Sequence, residues 1–319
     1  MQDFEFAAAG SVEEVVSLLQ KGEKPVRLLS GGTDLLVQLR EGRRDARLVV
    51  DIKRVREVNE LVYDPQAGLT IGAAVPCYKI TRDPMVAKLY PGIVDAVALI
   101  GGTQIQGRAT VGGNLCNASP AADTTPALIV HSAVCVIAGP NGTRELPVEQ
   151  FCTGPGRNAM AEDEFLVSVC IPPMPDGFGA RYLRFIPRNE MDIAVVGAGA
   201  SVVLDEARQN IVSARIALGA VAPTPLFAQE ASEWLAGKPT AAENIFEAAR
   251  MAQSIARPIN DMRGTIAQRK HLALILTKRA LTGAIERAKG LGVGGNGHSG
   301  GNGSTPVADS RDDAARRDL

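Results

Sequence analysis

Two short segments, Leu28-Leu29-Ser30-Gly31-Gly32-Thr33-Asp34-Leu35 and Thr110-Val111-Gly112-Gly113-Asn114, place a Gly-Gly pair and small polar residues where a strand-like run ends. A turn without Cβ atoms lets backbone N–H groups converge on an anion. A single such turn reads equally well as a tight strand-to-helix connection, because glycine is the default turn residue. Two of them on separate parts of one lobe point to a diphosphate gripped from both sides. Thr33 and Asp34 open a short helix after the first pair, with Thr33 placed to cap it. A helix start adds free N–H donors and a modest dipole, ~0.3–1 kcal/mol toward an anion. The spacing is not the G-x-G-x-x-G fingerprint, so it supports no Rossmann site.

The second segment sits in a longer stretch, Ile100 to Asp123, that is dense in Gly, Asn, Ser and Thr. Such a composition builds no apolar core. It does build a loop of N–H, hydroxyl and amide groups suited to an oxygen-rich ligand. A loop packed only on itself is the alternative, although loops this long in compact domains are uncommon without a function.

The elements that must carry these segments follow from periodicity. The N-terminal part reads as a helix followed by a βαβ unit. Ser11 and Glu14 form a capping box, and Val12, Val15, Val16 and Leu19 share a face. Val26 to Leu29 and Leu48 to Ile52 read as parallel strands around a short helix ending near Gly42. Hairpins follow, at Asp64 to Gly68 and at Asn141-Gly142. Helices are expected over Val86–Ile100, with Pro91 at a start or break, and over Pro126–His131. Strands are expected over Ala133–Ala138 and Phe165–Ile171. The proline-rich run from Pro172 to Gly177 marks a linker. Beyond it, strands at Ala180–Phe185, Ala198–Leu204 and Ile211–Val221 precede helices at Pro225–Ala236, Ala241–Ala256 and Thr265–Ala288. That order describes a small α+β domain. From Gly290 to Gly303, eight of fourteen residues are glycine, which predicts a disordered tail over 289–319.

The 319 residues, 45% apolar and 22% charged, fit a globular protein of two domains, or of one large domain with an appendage. A net charge of −1 gives no general pull toward nucleic acid or an anionic membrane. No run of eighteen apolar residues is present, and the start is acidic, so a cytoplasmic location with no transmembrane segment is expected. Cys77, Cys116, Cys135, Cys152 and Cys170 form no Cys-x-x-Cys pair and lie apart from the three histidines. They read as reduced, mostly buried thiols, and no metal site is expected in this chain.

Taken together, residues 28–35, 100–114 and 119–123 resemble the FAD-binding subunit of molybdenum hydroxylases, the family of the carbon monoxide dehydrogenase medium subunit and the xanthine dehydrogenase flavin domain. The likeness continues through Asp163-Glu164-Phe165-Leu166, Arg181 to Arg188 and Met191-Asp192-Ile193-Ala194. It implies an α+β fold: a two-lobed, vanillyl-alcohol-oxidase-like FAD domain over 1–175, with lobes of about 1–55 and 56–175, then a C-terminal α+β domain over 178–288. It implies that Ser30, Gly31, Gly32, Thr33 and Asp34 bind the FAD pyrophosphate with Leu29 and Leu35 beside them. Thr110, Gly112, Gly113, Asn114 and Ser119 would form the opposite wall, and Asp123 would hold the adenosine ribose. Ile100 and Leu166 would touch the ring systems. Arg184 stands where relatives commonly have lysine and reads either as a cation toward the flavin or as a strand arginine.

No Ser-His-Asp or Cys-His constellation is present, and flavin chemistry requires none. The resemblance implies an oxidoreductase subunit, with no catalytic side chain of its own. Its FAD would receive electrons from the [2Fe-2S] clusters of a small partner, fed by a large molybdenum-cofactor subunit, in a dimer of heterotrimers. The acceptor would be NAD, a quinone, oxygen or another carrier. A stand-alone flavin oxidase and a non-catalytic assembly factor are the competing readings.

Overall fold

The computed structural model describes residues 3–188 and 191–291; the glycine-rich segment from 292 onward lies outside them. The N-terminal unit is β1 (Glu5–Ala8), α1 (Val12–Lys21), β2 (Val26–Leu29), α2 (Leu35–Arg40) and β3 (Leu48–Asp51). Its three strands form a parallel sheet in the order β1-β3-β2. Ser11 caps α1 by accepting the Glu14 N–H at 3.2 Å, while the Glu14 carboxylate takes the Gly10 N–H at 2.7 Å. Val15, Val16 and Leu19 are buried by this helix. The first strand was not expected from the sequence. It is held by main-chain pairing to β3, and its Phe6 remains exposed. Because β3 takes the middle of the sheet, β2 is an edge strand, and its end delivers Ser30 and the first Gly-Gly pair to the surface of the lobe.

The next unit runs β4 (Leu61–Asp64), β5 (Gly68–Gly72), α3 (Cys77–Arg82), α4 (Pro84–Leu89), α5 (Pro91–Val97), α6 (Thr103–Gln106), α7 (Val111–Cys116), α8 (Thr124–Val130), β6 (Val134–Gly139), β7 (Gly142–Pro147), β8 (Cys152–Gly154), β9 (Arg157–Asn158) and β10 (Phe165–Ile171). Five of these strands form a sheet in the order β4-β5-β10-β6-β7, antiparallel throughout, and β8 and β9 pair separately. The helical stretch expected over 86–100 breaks at Pro91 as expected, into α4, which starts at Pro84 with Asp83 as its cap, and α5, which ends at Val97. One sequence expectation changes here. The expected loop over 100–123 contains α6 and α7.

The last unit holds β11 (Phe178–Phe185), β12 (Val196–Leu204), β13 (Ile211–Gly219), β14 (Leu226–Phe227), α9 (Gln229–Leu235), α10 (Ala242–Ser254) and α11 (Ile266–Ala288). The four strands pair in sequence order as an antiparallel sheet, with the helices packed on it. Leu226 and Phe227 extend that sheet, so the helix expected from Pro225 starts at Gln229. This unit is fastened to α5 and α8 of the preceding one. Asp95 receives Arg287 at 2.6 and 2.9 Å and the Tyr182 N–H at 3.1 Å. Ser201 Oγ donates to the Val130 carbonyl at 2.6 Å, and Arg215 Nε donates to that of Ile129 at 2.9 Å. Among the described residues no helix is long and apolar enough to cross a membrane.

One residue of this junction predicts acid lability. His131, at the end of α8, is buried between Tyr90 and Phe178 at ring distances of 6.3 and 5.5 Å. Its Nδ1 bonds the Ala127 carbonyl at 2.7 Å, and among the described residues Nε2 has no partner. Burial pushes its pKa from 6.5 down to about 4, with the Asp95 carboxylate opposing and the Arg287 charge reinforcing the shift. Below pH 6.5 the unfolded chain takes up a proton that the folded chain refuses until pH 4. Stability therefore falls as pH drops through that window, by at most about 3 kcal/mol from this group. Denaturant midpoints at pH 7 and 4.5 should diverge in the wild type and converge in His131→Phe; an unchanged divergence in the variant overturns this assignment.

Candidate functional site

The two Gly-Gly segments meet. Ser30 Oγ lies 3.1 Å from Thr110 Oγ1 and donates to the Ala73 carbonyl at 3.3 Å, and Arg108 Nε donates to the Gly31 carbonyl at 3.3 Å. Lys53 Nζ, paired with Asp51 at 2.6 Å, reaches the Ser30 carbonyl at 3.3 Å and supports the turn from below. A Cβ on Gly31 would stand 2.2 Å from the Arg108 carbonyl oxygen, and one on Gly112 would stand 2.5 Å from that of Ala73. Gly31 is required by backbone approach between the two lobes, and Gly112 by backbone approach within the second lobe. Gly113 is different, because a Cβ there meets only Thr110 Oγ1, at 3.0 Å.

Beside this junction lies a cavity of about 310 Å³. Its wall includes Ser30, Gly31, Gly32, Thr33, Asp34, Leu35, Ile100, Thr110, Gly112, Gly113, Asn114 and Leu166, so twelve of the residues singled out in the sequence converge on one space. Leu29, Ser119, Asp123 and Arg184 lie outside that lining. Leu29 is packed in a small apolar cluster, and Ser119 Oγ accepts the Ala121 N–H at 3.3 Å. Asp123 is buried, and its carboxylate takes the Tyr182 hydroxyl at 2.8 Å and Arg184 NH1 at 2.6 Å. Burial pushes the Asp123 carboxyl up, while the Arg184 charge and both hydrogen bonds pull it back.

The local chemistry corrects two expectations. Thr33 makes no capping bond; Asp34 stands at the cap position of α2, also without one. The second Gly-Gly pair is no turn but the first turn of α7, capped by Thr110, whose Oγ1 accepts the Gly113 N–H at 2.9 Å. That N–H is consequently not open to a ligand. The first segment supplies the donors instead. Among the described residues no acceptor faces the backbone N–H groups of Gly31, Gly32, Thr33, Asp34 and Leu35. Five consecutive unpartnered N–H groups on a cavity wall fit a polyanion. Asn114 is held by Thr124 Oγ1, which donates to its Oδ1 at 2.6 Å. Sequence reasoning did not anticipate Arg27, Gln38, Arg44, Ala73, Asn117, Met160 and Glu162 on the same wall.

The family described as the FAD binding domain in molybdopterin dehydrogenase matches residues 2–174, and the CO dehydrogenase flavoprotein C-terminal domain matches residues 181–284. This chain belongs to the FAD-binding subunits of the molybdopterin dehydrogenases. The putative xanthine dehydrogenase FAD-binding subunit XdhB of Escherichia coli is 31% identical to it over 90% of this chain and 99% of that protein. The carbon monoxide dehydrogenase medium chain of Hydrogenophaga pseudoflava is 31% identical over 89% and 98%. In solved structures, carbon monoxide dehydrogenase from that organism superposes with a TM-score of 0.85 at 30% identity, over 90% of this chain and 98% of that one. Quinoline 2-oxidoreductase from Pseudomonas putida superposes with a TM-score of 0.82 at 28% identity, over 90% and 98%. The fold is thus the two-lobed FAD domain with a C-terminal α+β domain that the sequence resemblance implies. The run of free N–H groups and the hydroxyl and amide wall of this FAD-binding subunit suit a diphosphate-bridged cofactor.

Proposed function

We propose that this chain is the electron-exit flavoprotein of a molybdenum hydroxylase complex in the cytoplasm. FAD, when bound, supplies a carrier that exchanges electrons singly or in pairs. The N–H groups of residues 31–35 would hold its pyrophosphate, with Ser30 and Thr110 as hydroxyl partners and Asn114 as an amide. Ile100 and Leu166 would cover its rings. Outside the cavity lining, Ser119 would extend the opposite wall, Asp123 would hold the adenosine ribose and Arg184 would direct its charge toward the flavin. Residues 1–175 then act as the FAD domain, and residues 178–288 brace α5 and α8 behind it.

In this reading a large molybdenum-cofactor subunit oxidises the substrate. A small [2Fe-2S] subunit relays electrons to this chain, the whole forming a dimer of heterotrimers. The acceptor is NAD, a quinone, oxygen or another carrier. Relatives named for xanthine, carbon monoxide and quinoline chemistry match nearly the full described length, which supports a role independent of the substrate. The observation that carries the proposal is the cavity walled by both glycine segments with its unpartnered N–H groups.

The test is the flavin content of the assembled complex. Denaturing release should yield one FAD per copy of this chain, read from its visible absorbance. A colourless, fully assembled complex refutes the proposal.

A further inference from the structure

One part of the cavity wall belongs to neither glycine segment. Arg27, on edge strand β2, and Arg44, in the connection after α2, both line the cavity, and both are half-buried. Arg27 Nε donates to the backbone carbonyl of Asp45 at 3.0 Å. Among the described residues its terminal nitrogens have no acceptor, and the Arg44 guanidinium has none at all. The charges of Asp45 and Glu162 act on Arg27 and oppose the lowering of its pKa, but among the described residues neither carboxylate bonds it. Glu162 pairs with Lys24 at 3.6 Å and is 92% exposed at its side chain, Glu164 is held by Arg144 at 2.7 Å, and Asp45 is exposed. The neighbouring Arg43 differs, since it pairs with Glu41.

Two guanidiniums without carboxylate partners on one concave wall repel each other, and an anion between them removes that repulsion. Burial first, and the Arg44 charge second, hold the Arg27 guanidinium below its ordinary value. Strand β2 rises ~3.3 Å per residue, so it sets Val26, Arg27 and Leu28 a few residues before the open N–H groups that begin at Gly31. The same lining includes the apolar side chains of Leu19, Val26, Ile52 and Phe165. Apolar lining, paired cations and N–H cradle match a purine followed by a diphosphate, and guanidinium planes stack well on aromatic rings.

We infer that Arg27 and Arg44 set the affinity for the ADP half of the cofactor, covering the purine and neutralising the diphosphate. This rests on the reading of the cavity as the FAD site.

The test uses the assembled complex stripped of flavin and titrated with FAD, ADP and FMN at low and high salt. Arg27→Gln/Arg44→Gln should weaken FAD and ADP binding by about tenfold and flatten its salt dependence, because the lost term is electrostatic. FMN, which lacks the adenosine and keeps only one phosphate, should lose less affinity than FAD and ADP. Arg27→Lys/Arg44→Lys should recover most of the salt dependence, and Arg43→Gln should match the wild type. Unchanged FAD and ADP binding in the double Gln variant overturns the inference. So does a loss that is equal for FMN and independent of salt, which would mark a structural role. A wild-type complex that takes up no FAD overturns the FAD reading itself.

Discussion

Gly113→Ala is expected to keep the fold and lose the cofactor, whereas Gly31→Ala is expected to lose both. The two glycines stand in sequence motifs of the same appearance but meet different neighbours. A methyl on Gly113 encounters only Thr110 Oγ1, at 3.0 Å, a side-chain atom that can yield slightly. Alanine also favours a helical position over glycine by ~0.8–1 kcal/mol, which offsets that squeeze. The same methyl narrows the cavity wall where the ligand would lie. Displacing one charge-assisted hydrogen bond costs ~1.5–3 kcal/mol, or at least about tenfold in FAD affinity. At Gly31 the obstacle is the Arg108 carbonyl oxygen at 2.2 Å, and a backbone atom cannot yield without parting the lobes. That separation would also break the Ser30–Thr110 contact at 3.1 Å and the Arg108–Gly31 bond at 3.3 Å. Overpacking of this kind costs ~1–3 kcal/mol or more. Thermal midpoint and released FAD per chain, measured together, separate the cases. A stable Gly113→Ala protein with full FAD removes α7 from the cofactor wall. A Gly31→Ala protein with the wild-type midpoint shows that the lobes are not in contact there.

The contrast between these glycines also marks what the sequence could and could not disclose. Helix α1 was legible because its determinants are local: Ser11 and Glu14 lie within one turn of each other, and the apolar face is periodic. The parallel pairing of β2 and β3 was legible from the helix between them. Strand β1 was not, since its partner β3 lies some forty residues away and Phe6 stays mostly exposed. Both glycine pairs line one cavity, but the backbone crowding at Gly31 and Gly112 was not anticipated. Their constraint is a carbonyl oxygen from a distant segment, which no local pattern displays. Helix α7 was hidden by its own glycines, which are poor helix formers, although Thr110 three residues before Gly113 is a capping signal. Arg27 and Arg44 became site residues only once the sheet order made β2 an edge.

Asp123→Ala is expected to be among the most destabilising single changes in the chain. Arg184 and Asp123 are 8% and 10% exposed at their side chains and meet at 2.6 Å, and Tyr182 donates its hydroxyl to the same carboxylate at 2.8 Å. Among the described residues Arg184 Nε is already buried without a partner, so removing the carboxylate leaves the guanidinium with no compensation there. Deleting one member of a buried pair costs ~3–5 kcal/mol, whereas replacing both by apolar residues of similar size is often neutral. Asp123→Leu/Arg184→Met should therefore recover most of the denaturant midpoint that Asp123→Ala loses. Its FAD content then distinguishes the two readings of Arg184. If the pair faces the cofactor, the double variant is stable and flavin-poor. If it serves only to join β11 to the start of α8, both stability and flavin return. Failure of the double variant to regain stability would show that the apolar pair cannot fill this space. Asp123→Asn, which keeps the volume and one acceptor for Tyr182, should then lose less stability than Asp123→Ala, because the hydroxyl keeps its partner although Arg184 loses both the charge and its acceptor.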